Sequence, residues 1–333
     1  MRLVVAIGLT WLSVRHVDWH ALRTALAGAA WPWIAAACST VALDRALNAY
    51  RSIVLLRAVP ERPPIAELVR IFFVSTFAGT FLPSTVGADA VRAWSLAQDG
   101  VPSSTAVASV VMDRLLGVVS ILIGALVGFA LMPAVLENRQ LVWGLAIVAA
   151  ACVFALAIIF SPSVDERLRR YLRYFPARIQ HMAGRFLDGL QAYRHQRGVL
   201  AVVLVASVLV QALRVALGWM LGRGLGLSAP GLAYVALIPI IVLVMLLPVT
   251  INGLGTGQLA FVWGFQRVGV SAADAFALSI LFAGLGIIGN LPGGILYAAG
   301  KRPASDKFAK ASREGAKIAK KGIKKDDTAS PRA

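Results

Sequence analysis

Charged side chains are scarce in this sequence of 333 residues. They make up 15% of the chain, compared with about 25% in soluble domains. Hydrophobic residues account for 58%, and the mean hydropathy is +0.74. This composition excludes an ordinary soluble domain and predicts a polytopic helical membrane protein.

Residues that carry enzymatic chemistry are also few. The four histidines all fall in predicted loops, and neither a Gly-x-Ser-x-Gly nor a His-Glu-x-x-His pattern occurs. Cys38 and Cys152 lie inside apolar runs, which argues against a disulfide framework or a metal site. No loop is long enough for a separate catalytic domain. We therefore expect neither an enzyme nor a cofactor.

Acidic residues number 16 against 33 basic ones, which gives a formal net charge of +17. Much of the excess lies in two stretches, residues 161–198 and 301–333. Both flank apolar segments, as cytoplasmic loops do under the positive-inside rule. The charge therefore indicates membrane topology and not nucleic-acid binding.

Apolar runs of membrane-spanning length occupy six stretches. They cover residues 31–56, 101–132, 141–160, 199–221, 231–249 and 271–298. An earlier short run, Leu3 to Val14, predicts an uncleaved anchor, because no small-x-small cleavage site follows it promptly. We expect one membrane domain over 1–300 and a basic cytoplasmic tail over 301–333. The tail either forms a helix on an anionic bilayer or stays a solvated coil.

Two motifs recur in the same order in both halves. FLPSTVG at 81–87 matches LLPVTING at 246–253, and GVPSSTAVAS at 100–109 matches GVSAADAFALS at 269–279. A long apolar run follows each pair, which favours a duplication of about 31–132 and 199–298. The basic flanks orient the two halves oppositely, as in the inverted repeats of secondary transporters.

The repeated proline interrupts an apolar segment in each half. Pro83 cannot continue a helix interior, and Gly87 allows a sharp turn. Irregular backbone at membrane depth is tolerated only against protein or a water-filled cavity. The sequence therefore predicts an all-α membrane bundle with inverted repeats and two broken-helix or re-entrant hairpins, at 65–100 and 231–268. NLPGG at 290–294 is a further break, which favours a kink over a functional site.

Ionisable residues inside the apolar segments are costly in lipid and are therefore candidate functional groups. The candidates are Asp89, Arg92, Asp113, Arg114 and Arg214, with Asp44, Arg45 and Arg51 as a further set. Asp89 and Arg92 can pair on one helical face. All except Arg214 fall near the proposed cytoplasmic ends of their segments, where ion pairs are routine, so a purely structural role stays open. We expect the first four to line a polar cavity open to the cytoplasm, with an arginine available to a phosphate.

The matching stretch of the second half, TINGLGTGQLAF at 250–261, is uncharged. Asn252 and Gln258 offer hydrogen bonds there, and Gly253 and Gly255 expose backbone N–H groups. The stretch lacks the Walker lysine and a surrounding βαβ unit, which argues against a nucleotide loop. Glycine-rich backbone beside a helix start suits an anion or a polar head group.

Three stretches of the sequence resemble a known family. FLPSTVGADAVRAW, SVVMDRLLGVVSI and PVTINGLGTGQLAFVWGFQRVGVSAADAFALSI are similar to the lysylphosphatidylglycerol synthase transmembrane region family, and the likeness runs from about Ala36 to Gly300. The family's motifs match Gly87, Asp89 and Arg92, the pair Asp113 and Arg114, and the turn Gly253, Leu254 and Gly255. Many relatives carry Glu where this chain has Gln258. The resemblance implies a stand-alone membrane domain without the aminoacyl-transfer domain.

The implied activity is that of a flippase, which moves a phospholipid or lipid-linked substrate between leaflets. A non-transporting accessory protein that partners a separate lipid- or envelope-modifying enzyme is the alternative. We expect anionic head groups of membrane lipids as partners, no nucleic acid, and a multi-pass location in the cell inner membrane. Self-association into a homo-oligomer stays open.

Overall fold

A computed structural model describes residues 30–57, 63–81, 85–132, 139–246 and 255–299 of the chain. The regular structure within these ranges is entirely helical. The helices are α1 (Trp31–Arg57), α2 (Ile65–Phe81), α3 (Thr85–Gln98), α4 (Ser103–Leu131), α5 (Arg139–Phe160), α6 (Pro162–Leu172), α7 (Ala177–Gln191), α8 (Arg197–Gly224), α9 (Gly231–Leu246), α10 (Thr256–Gln266), α11 (Ala272–Ile288) and α12 (Leu291–Ala299). The predicted N-terminal anchor and the basic tail lie outside the described residues.

Four described segments are long and apolar enough to cross a membrane. They are Ser103–Leu131, Val142–Phe160, Arg197–Gly224 and Ala272–Ala299. The chain therefore has the predicted all-α architecture of a multi-pass membrane protein. Two of the six predicted spanning segments, 31–56 and 231–249, are not among these four. Helix α1 reaches about 40 Å with its 27 residues but carries charges throughout its second half, and α9 has only 16 residues.

Both predicted hairpins are present as antiparallel helix pairs. In the first, Gly79 of α2 faces Ala88 of α3, and Phe72, two turns earlier, lies under Arg92. In the second, α9 and α10 meet where Gly257 faces Met245 and Gly264 faces Leu237. The connections at 82–84 and 247–254, which contain the repeated proline, lie outside the described residues.

The repeated Gly-Val motif has the same backbone structure in both halves. Gly100 and Gly269 both have a positive φ, 96° and 82°, which glycine adopts readily. The N–H of the next valine donates to the carbonyl five residues earlier, from Val101 to Leu96 and from Val270 to Phe265, each at 3.1 Å. This is the Schellman ending of a helix. The match supports the duplication, and the two-fold axis that relates the halves stays a prediction.

Glycines allow the helices around the centre of the bundle to approach closely, as is common in membrane proteins. Gly128 of α4 lies against the backbone of Ala236 on α9, with no room for a side chain between them. Gly289, at the end of α11, lies against Val41 of α1 in the same way. The chain breaks between α11 and α12 at Gly289 and Asn290, which confirms the predicted kink. These contacts bring α1 and α11 together around the site described below.

The basic stretch 161–198 contains the two amphipathic helices α6 and α7. Arg169 of α6 pairs with Asp165 on its own helix and with Asp188 on α7, which joins the two helices. Tyr193 is buried and donates its hydroxyl to the Leu55 carbonyl of α1 at 3.2 Å. Burial raises the pKa of this hydroxyl, so it remains a donor at neutral pH. The basic stretch is therefore attached to α1 and is not a loose loop.

Candidate functional site

A cavity of about 310 Å³ lies at the junction of helices from both halves. Its charged lining residues are Asp44, Arg45, Arg51, Arg92, Asp113, Arg114 and Arg214. Its uncharged polar lining residues are Thr40, Asn48, Thr76, Thr80, Gln211 and Asn290. Three of the four residues predicted to share a cavity thus line it, and Arg214 joins them. Asp89 lies just behind the lining, paired to Arg114.

Asp44 and Asp113 lie well inside their helices. Asp44 has thirteen helical residues on either side of it in α1. Asp113 lies ten residues after the start of α4, and eighteen residues follow it. Asp44 and Arg45 thus lie at the middle of α1 and not near its end as expected, whereas Arg51 lies in its last two turns. Charges this far inside long apolar helices are expensive and point to function.

One carboxylate, that of Asp113, holds two guanidinium groups. Its Oδ1 lies 2.7 Å from Nη2 of Arg51, and its Oδ2 lies 3.1 Å from Nη1 of Arg92. Arg51 also donates to the Asp113 backbone carbonyl at 2.9 Å. The Arg92 guanidinium stands 5.0 Å from the centre of the Phe72 ring, within reach of a cation–π interaction. This Asp113 cluster has one more positive than negative charge.

Asp89 and Arg92 do not pair with each other on their own helix. Asp89 instead accepts from both Nε and Nη2 of Arg114 on α4, the second bond at 3.1 Å. Such a two-pronged bond between a carboxylate and a guanidinium is among the stronger polar contacts. Two ion pairs therefore join α3 to α4, one between Arg92 and Asp113 and one between Arg114 and Asp89. The i, i+3 spacing indicated the right residues but the wrong pairs.

A second shared carboxylate, that of Asp44, lies further along α1. Its Oδ2 is 3.3 Å from Nη1 of Arg45, and its Oδ1 is 3.5 Å from Nε of Arg214. Arg45 also donates to the Gly286 carbonyl of α11 at 3.0 Å. Asn48 donates to Asp44 and accepts from Arg51, so it connects this Asp44 cluster to the Asp113 cluster.

The balance of charge at the cavity is positive. Five arginines stand against three aspartates when Asp89 is included, an excess of two positive charges among the described residues. Buried charge without a counter-ion is unfavourable, so the site suits an anionic ligand. Three or more metal-binding side chains do not come together anywhere in the described ranges.

Several buried polar atoms at this cavity have no hydrogen-bond partner. They are Nε of Arg45, Arg51 and Arg92, Oδ1 of Asp44, Oε1 of Gln211 and Oδ1 of Asn290. Buried polar groups are nearly always paired in folded proteins. Their concentration at one cavity indicates a place that a polar ligand or water fills.

The predicted residues of the second half lie elsewhere. Gly255, with φ of 89°, begins α10, and its N–H donates to Oε1 of Gln258 at 2.5 Å. Gln258 is buried, and neither residue lines the cavity. A glutamate at 258 would accept the same hydrogen bond, so Gln258 keeps this helix start intact. Asn252 and Gly253 lie outside the described residues.

The sequence analysis did not predict the uncharged polar lining residues as site residues, among them Asn48, Gln211 and Asn290. For Asn48 and Gln211 the sequence did contain a signal, because each lies one helical turn from a charged candidate residue. Asn48 follows Asp44 by one turn of α1, and Gln211 precedes Arg214 by one turn of α8. Asn290 lies at the kink and donates to Thr80 of α2 at 2.9 Å, a contact between distant parts of the chain.

The sequence matches the family model described as "Lysylphosphatidylglycerol synthase TM region" over residues 1–293. No curated protein matches it. The matched range includes every charged residue of the cavity and both repeated motifs. The resemblance inferred from the motifs is therefore confirmed, and the chain belongs to the lysylphosphatidylglycerol synthase TM region family.

Proposed function

We propose that the protein is a flippase that moves an anionic phospholipid or lipid-linked substrate between the leaflets of the inner membrane. The observation that carries this proposal is the positive cavity near the middle of the membrane-spanning helices. A lipid phosphate that crosses the bilayer needs donors and positive charge at that depth, because lipid offers neither. The arginines of the described lining supply both, and with Asp89 counted the site keeps two surplus positive charges.

An apolar groove beside the cavity also supports a lipid substrate. The groove encloses about 530 Å³ between α4, α8 and α9, and Ile123, Val127, Val215 and Pro239 are among its lining residues. Gln211 lines both the groove and the cavity. A lipid whose head group lies in the cavity could thus place its acyl chains in the adjoining groove.

The alternative is an accessory protein that binds a separate envelope enzyme and moves nothing. Such a scaffold has no use for surplus charge inside its bundle, because each unpaired buried charge lowers stability. Under the flippase proposal, the protein carries out no chemistry of its own. The basic stretch 161–198 and the tail then face the cytoplasm under the positive-inside rule.

A leaflet-resolved assay tests the proposal. The purified protein is placed in liposomes that contain phosphatidylglycerol with a fluorescent acyl chain, and dithionite bleaches the outer leaflet only. We expect the bleached fraction to rise well above that of protein-free liposomes, with or without imposed proton and sodium gradients. A labelled phosphatidylcholine, which has no net charge, is the matched control lipid and should respond less. An unchanged bleached fraction under every gradient would contradict transport and favour the accessory role.

A further inference from the structure

We infer that the head group carried by this cavity bears hydroxyl groups and no positive charge. The inference rests on the proposed function and names the chemical class of its substrate. The cavity has two different ends, the Asp113 cluster and the Asp44 cluster, joined through Asn48. Each end suits a different part of one head group.

The Asp113 cluster suits the phosphate. Arg51 and Arg92 both bond Asp113 through their terminal nitrogens, and each keeps a buried Nε without a partner. Arginine donors bind phosphate strongly, and the surplus charge of this cluster attracts it. Asp113 keeps the two guanidinium groups in place when no anion is bound.

The Asp44 cluster instead offers acceptors. Gln211 and Asn290 are each more than nine-tenths buried, and each has a side-chain oxygen without a hydrogen bond, while Oδ1 of Asp44 has only the 3.5 Å ion pair with Arg214. All three line the same cavity. Gln211 is one helical turn from Arg214, which pairs with Asp44, and Asn290 is one turn beyond Gly286, which Arg45 contacts. Acceptors of this kind need a ligand that donates, either a hydroxyl or an ammonium group.

The charge at this end selects the hydroxyl. Asp44 is already shared by Arg45 and Arg214, so the cluster carries a surplus positive charge of its own. An ammonium group here would meet like charge and would have no carboxylate to itself. A hydroxyl can donate to Gln211 or Asn290 without that cost. The glycerol of a phosphatidylglycerol and the sugar of a glycosylated lipid phosphate share this chemistry.

Competition for binding tests the inference separately from transport. The protein in detergent binds a trace of fluorescent phosphatidylglycerol, and unlabelled lipids displace it. Phosphatidylmethanol has the same single charge without head-group hydroxyls, and phosphatidylethanolamine has an ammonium group. We expect phosphatidylglycerol to compete about tenfold better than phosphatidylmethanol, as two hydrogen bonds would produce. Phosphatidylethanolamine should be the weakest competitor. A polyprenyl-phosphate hexose in a further arm distinguishes a sugar from a glycerol head group.

Two variants of Gln211 sharpen the test. Gln211→Leu removes one acceptor and should reduce the advantage of phosphatidylglycerol over phosphatidylmethanol about threefold. Gln211→Glu adds a carboxylate and should move the preference toward phosphatidylethanolamine. Ser207→Ala is the matched control, because Ser207 is buried one turn earlier on α8, bonds the Val203 carbonyl and lies outside the cavity lining.

The outcomes separate this inference from the proposed function. Equal competition by phosphatidylglycerol and phosphatidylmethanol would overturn the hydroxyl preference, even if the protein transports lipid. So would stronger competition by phosphatidylethanolamine. Selective binding without any bleaching in liposomes would support the head-group inference and contradict transport.

Discussion

Replacing Asp113 by alanine should lower the free energy of unfolding by about 3–5 kcal/mol, the usual cost of removing one partner from a buried ion pair. The loss is large because Asp113 is the counter-ion of both Arg51 and Arg92. Their side chains are only 6% and 9% exposed, so neither guanidinium can turn to water. Denaturant unfolding of the purified protein in detergent measures the change.

Two other carboxylates provide graded controls for this effect. Asp89→Ala should cost less, because its partner Arg114 is 42% exposed and can be solvated. Glu67→Ala breaks a half-buried i, i+3 pair with Arg70 on α2, whose side chains are 31% and 25% exposed, and should cost about 1 kcal/mol. Equal losses for Asp113 and Glu67 would contradict the role of Asp113 as the counter-ion of two buried arginines.

Replacing Arg214 by alanine should reduce the rate of anionic lipid translocation about tenfold or more and leave the fold intact. Arg214 lines the cavity, but its Nε lies 3.5 Å from Asp44 and its side chain is 27% exposed. The structure therefore depends on it less than on Arg51. A hydrogen bond to a charged group contributes about 1.5–3 kcal/mol, and about 1.4 kcal/mol corresponds to a tenfold change. The dithionite assay measures the rate.

Arg223→Ala is the matched control for Arg214→Ala. Arg223 lies on the same helix, α8, but is exposed near its end and away from the cavity. The substitution removes the same formal charge without touching the site, so the rate should be unchanged. If both variants slow translocation equally, the effect comes from overall charge and not from the cavity. If Arg214→Ala unfolds the protein, Arg214 has a structural role instead.

The helical fold was predictable because a membrane restricts the choices of the chain. Every backbone polar group must find a partner inside the lipid, so long apolar runs become helices. A proline within such a run interrupts the helix, and the repeated proline therefore predicted both hairpins from the sequence alone. Gly100 and Gly269 marked equivalent turns in the two halves because few other residues adopt their positive φ.

The site was only partly predictable, because tertiary packing decides which charges meet. Local spacing favoured a pair between Asp89 and Arg92, but α4 brings Asp113 and Arg114 close to both, and the partners exchange. The bounds of α1 were predicted closely, but spacing alone did not show that Asp44 and Arg214 meet across two helices. Asn290 reached the cavity through a contact with Thr80, far away in the sequence. No local pattern predicts that contact.

The position of a lipid phosphate in the protein tests the central claim most directly. An electron cryo-microscopy map of the protein in nanodiscs of phosphatidylglycerol would show it. We predict phosphate density inside the cavity, within hydrogen-bond distance of the guanidinium group of Arg51 or Arg92, and a glycerol beside Gln211. Phosphates confined to the two membrane surfaces, with only water between these arginines, would contradict the claim.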